Sequence, residues 1–148
     1  MKYWISLILM CSTMAAFSQI DDLPRAVART FEKKFPGVTE IKWYVEKGDY
    51  KIKFTLNGKK TVAEIDPDGT WEKTSTHITF EELPAPVKTT VNEQKKSGTL
   101  DEIKSVVDDE GSSYYRIDII DSNYKTKLWI DPKGKLQKSE KKELKDAS

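Results

Sequence analysis

One cysteine, Cys11, and one histidine, His77, occur among 148 residues. That excludes a disulfide framework and any cluster of thiols and imidazoles around a metal. The sequence has no Gly-x-Ser-x-Gly nucleophile turn and no glycine-rich phosphate loop. It also lacks an excess of charge of either sign: 25 Lys plus Arg stand against 24 Asp plus Glu, interspersed along most of the chain. A nucleic-acid binder would show a basic stripe or patch. The apolar fraction, 37%, is modest, so a core must be built economically, from one face of each strand. No enzymatic activity, cofactor, metal or nucleic-acid partner is expected.

The first eighteen residues differ from all that follow. Lys2 gives a positive start, Ile5 to Met14 an apolar run, and Ala16-Phe17-Ser18 places small residues at the two positions a signal peptidase reads. This pattern predicts a secretory signal, too short to span a bilayer and cleaved after Ser18. A rival reading is lipidation on Cys11, but Met10 stands where a small residue is wanted. Cleavage would remove Cys11, leaving packing alone to stabilise the exported chain. It would also remove Lys2 and bring the net charge from +1 to 0. The expected location is periplasmic or secreted, with no membrane attachment after cleavage.

Beyond that leader the chain repeats itself. Tyr50 to Lys73 aligns without a gap on Tyr115 to Lys138, with nine identical pairs, among them Tyr50/Tyr115, Ile52/Ile117, Ile65/Ile130 and Gly69/Gly134. Ile-Asp-Pro-x-Gly occurs in both copies, and Leu23-Pro24 is echoed by Leu83-Pro84. The expected organisation is a signal at 1–18, a first unit at 19–82, a second at 83–140 and a polar tail at 141–148. The mixed run Lys138 to Lys145 reads as solvated and fraying.

Each unit opens with a helix. Leu23, Val27, Phe31 and Phe35 recur every fourth residue as one apolar stripe, with Asp21 or Asp22 to cap it and Pro36-Gly37 to stop it. The second helix, Pro84 to Lys96, offers Leu83, Val87 and Val91. Four strands follow. Tyr50, Ile52, Phe54 and Leu56 alternate with Lys51, Lys53 and Thr55, the period of a strand buried on one side. Asn57-Gly58 predicts a two-residue hairpin turn that pairs Leu56 with Lys59, Ile52 with Ala63 and Tyr50 with Ile65. The fold class is α+β: a tandem repeat of a helix plus a four-stranded antiparallel sheet, helices on one face. Whether the two sheets join stays open, and unpaired edge strands allow a monomer or a weak dimer.

No helix remains to cover the other sheet face. Trp43, Tyr50, Phe54, Trp71 and Tyr115 fall on the core side, where packing accounts for them. Tyr44, Lys53, Tyr114, Arg116 and Trp129 fall on the open side. An aromatic and basic mixture there suits protein binding, but it equally suits residues that only shield a sheet. His77 reads as structural or exposed. Asp66-Pro67-Asp68-Gly69 is explained by turn chemistry rather than calcium, since the second copy puts Lys133 at the ligand position.

Leu23-Pro24 before an amphipathic helix, then Ile41-x-Trp43, Tyr50-x-Ile52-x-Phe54, Asn57-Gly58-Lys59 and Ile65-Asp66-Pro67-x-Gly69, resembles the PepSY-like, beta-lactamase-inhibitor-like family of small exported Bacteroidetes proteins. The resemblance spans Leu23 to Lys138. It implies a periplasmic location and the helix-plus-four-strand repeat. The inhibitors behind the family's name grip a protein with the open sheet face. They carry disulfides, which this chain cannot form, so inhibition of a beta-lactamase is not implied. The expected function is an exported, non-catalytic module that binds an exported or envelope protein. The alternative is a small-ligand carrier or sensor, which would need a roomy apolar pocket.

Overall fold

The computed structural model describes residues 19–144. The leader, its cleavage point, Cys11 and the last four residues of the tail lie outside the described residues.

Helix α1 (Arg25–Lys34) carries the expected stripe: Val27 and Phe31 are fully buried, with Leu23 buried just ahead of them. Each such side chain contributes roughly 1.5–3 kcal/mol by leaving water. The helix start departs from expectation. Asp21 and Asp22 lie in a short 3-10 turn, Gln19–Asp22, and Pro24 holds the cap position without a side-chain hydrogen bond. With Pro24 at the cap, both aspartates sit too far upstream to reach the first free N–H groups. Helix α2 (Ala85–Lys95) takes Pro86 in its first turn and turns Val87 and Val91 inward.

The strands are β1 (Lys42–Glu46), β2 (Asp49–Leu56), β3 (Lys59–Ile65), β4 (Trp71–His77), β5 (Thr99–Asp108), β6 (Ser113–Ile120), β7 (Tyr124–Ile130) and β8 (Leu136–Glu143). All eight form one antiparallel sheet in chain order. Two separate four-stranded sheets are therefore not what forms. β4 pairs with β5 from Lys73↔Asp108 to His77↔Lys104. Joining removes two edges whose N–H and C=O groups would otherwise stay unpaired. The polar tail also needs correction. β8 continues to Glu143, pairing Lys138↔Trp129, Glu140↔Lys127 and Lys142↔Lys125. It is an exposed edge strand, so it never shows the apolar alternation that marks a half-buried one.

The Asn57-Gly58 turn has positive φ at both residues, 50° and 76°, and sets the expected register. One rung crosses most of the sheet: Phe54↔Thr61↔Thr76↔Ser105↔Tyr115↔Ile130. Directly opposed residues share a face, so both helices lie on the same side. Two cores result. Phe31, Phe35 and Phe54 meet at centroid distances of 4.7–5.4 Å in the first. Val87 and Val91 pack on Ile103, Ile117, Leu128 and Ile130 in the second.

The Ile-Asp-Pro-x-Gly turns fasten each helix to its strands. Asp66 Oδ1 accepts from the N–H groups of Asp68 and Thr70, and Asp131 Oδ1 from those of Lys133 and Lys135. Thr30 Oγ1 donates to the Gly69 carbonyl at 2.6 Å, and Thr90 Oγ1 to that of Gly134 at 2.5 Å. Asp66 thus spends this oxygen on its own turn, as turn chemistry requires.

Candidate functional site: the uncovered face of the sheet

The face opposite the helices is concave. Side chains from β1 to β7 line a single trough of about 1080 Å³. Ser75 (8% exposed), Val106 (3%) and Asp118 (2%) are buried on this face, although among the described residues no helix or loop covers it. Val107, on the helix side of the same strand, is 43% exposed.

Two ion networks floor the trough. In the first half, Glu64 on β3 pairs with Lys51 on β2 and with Lys73 on β4 at 3.0 Å. Burial pushes the Glu64 carboxyl up, but the two ammonium groups outweigh it and hold its pKa below the ordinary value. In the second half, Glu102 meets Lys104 at 2.8 Å and Arg116 at 2.6 Å. Burial opposes its ionisation too, and Lys104 and its neighbours again prevail. Asp118 meets Lys125 at 3.0 Å, and Lys125 also reaches Asp101 at 2.9 Å. Arg116 Nε stands 3.4 Å from Asp118 Oδ1; among the described residues neither atom has a hydrogen-bond partner.

His77 Nε2 lies 3.4 Å from Glu102. Burial, then Lys104, lowers the imidazole pKa despite that carboxylate. The ring is therefore neutral at neutral pH, and the contact is not an ion pair.

The five residues expected on the open face all lie there, in two groups. Tyr44 (β1) and Lys53 (β2) touch, the ammonium 4.7 Å from the ring centre. Tyr114 (β6) and Trp129 (β7) wall a separate cleft of about 410 Å³ at the other end, beside Lys138, whose ammonium stands 4.9 Å from the Trp129 ring. Arg116 lies between them, cross-strand from Trp129 and engaged by Glu102. Burial raises the pKa of Tyr44 and of Tyr114, so both phenols are neutral hydrogen-bond donors. Lys42, Lys60, Lys73, Glu102 and Lys104 also line this face and were not foreseen. Three of them sit on β4 and β5, whose pairing the repeat left open.

Asp49, Glu64 and Glu72 bring carboxylate oxygens within 4.8 Å of one another. Lys51 and Lys73 already neutralise Glu64, so this cluster belongs to the ion network. The space between helices and sheet is filled by Phe31, Ile52, Ile65, Ile117, Leu128 and Ile130, all fully buried. A carrier would need its cavity there. Among the described residues no helix is long and apolar enough to cross a membrane.

A family model described as "Putative beta-lactamase-inhibitor-like, PepSY-like" matches residues 48–138. Among solved structures, a putative periplasmic protein from Bacteroides eggerthii is similar at a TM-score of 0.75 and 24% identity, over 80% of this chain and 88% of that one. A DUF2874 family protein from Bacteroides ovatus gives 0.74 and 24%, over 80% and 87%. A BLIP-like protein from Bacteroides fragilis gives 0.73 and 20%, over 85% and 91%. No curated protein matches at a significant level. At these identities the structural likenesses establish the fold.

Proposed function

The chain belongs to the PepSY-like, beta-lactamase-inhibitor-like family, and from that premise we propose that it is an exported, non-catalytic module that binds another protein in the trough of its uncovered sheet face. The observation that carries this reading is the face itself. Seven strands, β1 to β7, line about 1080 Å³ that no element among the described residues fills. Aromatic side chains stand on this face, Tyr44 in the trough and Tyr114 with Trp129 around the separate cleft. Such residues dominate the energetics of protein interfaces when a partner desolvates them. The segment before Gln19 acts as a cleaved signal, and the periplasm or the exterior is the working compartment. The two halves are tandem copies of one helix-plus-four-strand unit. The nine matched identities support that, as do the Thr30–Gly69 and Thr90–Gly134 clasps.

Tyr44, Lys53, Tyr114 and Trp129 are the contact residues. Arg116 positions the network beneath them, because Glu102 already engages its guanidinium. The test is capture from the host's envelope fraction, comparing the unaltered protein with Tyr44→Ala/Lys53→Ala/Tyr114→Ala/Trp129→Ala and with Arg29→Ala on the exposed side of α1. One protein should be retained by the unaltered and Arg29→Ala forms and lost from the face variant. Retention by all three would place binding elsewhere.

A further inference from the structure

We propose that the β1–β3 end of the trough receives an acidic segment of the partner protein, an inference that rests on reading this face as a protein-binding surface. Over the whole chain the charges nearly cancel, 25 basic against 24 acidic. In the trough they do not: seven basic side chains face four acidic ones. Three of those acids, Glu46, Glu64 and Glu102, already have cationic partners within the fold. Among the described residues, no carboxylate comes within 4 Å of Lys42, Lys53 or Lys60. The excess positive charge is therefore local, exposed and uncompensated.

The placement of these lysines is unfavourable for the fold alone. Lys42 and Lys53 are direct cross-strand neighbours, and like charges so placed destabilise a sheet. Lys60 lies diagonally across from Lys53, opposite Thr55 on the next strand. Three ammonium groups on three adjacent strands match a row of carboxylates rather than one small anion. Tyr44 beside them, 40% exposed, adds a neutral hydroxyl donor.

The rest of the trough selects the class of partner. A flat anionic membrane cannot enter a concave face. A uniformly anionic polymer would leave the apolar walls of the Tyr114–Trp129 cleft unmatched. A polypeptide can present carboxylates at one end and an apolar side chain at the other.

Selection from a randomised peptide display library against the immobilised full chain tests this directly. Selected peptides should carry clustered Asp or Glu with an apolar or aromatic residue. Their affinity should fall at least about tenfold in Lys42→Glu/Lys53→Glu/Lys60→Glu and less in the matching glutamine variant. The glutamine variant removes the Lys42–Lys53 repulsion, so its unfolding midpoint should not drop and its loss of affinity reads as lost binding rather than lost folding; the charge reversal exchanges that repulsion for one between glutamates. Peptides without acidic residues that ignore the charge reversal but fail on Tyr114→Ala/Trp129→Ala would overturn the acidic partner and leave the binding face standing. Peptides indifferent to both variants, or none selected, would remove both readings. Tighter binding of heparin fragments or phosphatidylglycerol vesicles than of any selected peptide would overturn the partner class.

Discussion

Replacing Gly134 with alanine should destabilise the fold by about 3 kcal/mol, and three parts of the structure set that magnitude. Gly134 has φ of 84°, where an L side chain is disfavoured by roughly 1–2 kcal/mol. Its carbonyl accepts the Thr90 hydroxyl, and a displaced turn would lose that bond, worth about 1 kcal/mol. A Cβ there would also stand 2.5 Å from the Pro86 carbonyl oxygen and 2.7 Å from its carbon. Those are helix backbone atoms, so no rotamer change relieves the clash and α2 must shift off its core. Gly111→Ala is the control. Gly111 also has positive φ, 78°, but nothing lies within 4 Å of its would-be Cβ, so only the conformational part, about 1 kcal/mol, should appear. Urea unfolding followed by tryptophan fluorescence reads the difference. With a slope of roughly 1–3 kcal/mol per molar, the two midpoints should differ by about 1 M. Equal midpoints would show that the turn does not press on α2, and the clasp argument would fail.

Asp118→Ala should cost roughly 3 kcal/mol, the lower end of the range for breaking a buried ion pair, because Arg116 and Lys125 keep Glu102 and Asp101. Asp101→Ala removes only an exposed partner of the same lysine and should cost under about 1 kcal/mol; comparable losses in the two would contradict the assigned burial. Glu64 has a depressed folded-state pKa, so its contribution is present above the unfolded pKa and fades as pH falls through the folded one. The stability gap between the unaltered protein and Glu64→Gln should therefore be widest at neutral pH and narrow on acidification, and a gap independent of pH would mean the Lys51 and Lys73 contacts are not formed in solution.

The fold was readable in the sequence where a local rule fixed it. Asn57-Gly58 demands positive φ at both positions, and that alone set the β2–β3 register. Leu23, Val27 and Phe31 gave α1 its buried face by spacing. Two of the failures, the tail and the joint, share one cause, that edges and joints carry no apolar period. β8 reads Gln137-Lys138-Ser139-Glu140-Lys141, polar on both sides, because an exposed edge strand needs only backbone pairing on one flank. The β4–β5 joint is built from Lys73, Thr74, Ser75, Thr76 and His77, which do not announce a central strand. The open-face residues were placed correctly by alternation within each unit, but their grouping was not legible. Bringing Tyr44 and Arg116 to one trough depends on the joint and on the curl of the whole sheet.

That curl links the economical core to the open face. With two α-helices for eight strands among the described residues, the helix side is not covered in the middle, and the sheet there carries Thr74, Thr76 and Ser105 between the two apolar cores. Small side chains on that side and long Lys, Arg and Glu side chains on the other suit a sheet curled away from its helices. The long side chains then fold over one another in ion pairs, burying Asp118 and Lys51 without any covering element among the described residues. A sheet face that needed only shielding could stop there, with every charge matched. This one retains Lys42, Lys53 and Lys60 unmatched at its rim and an aromatic cleft at its far end. Those groups lower the stability or solubility of the isolated chain, and contact with a second molecule is what would offset them.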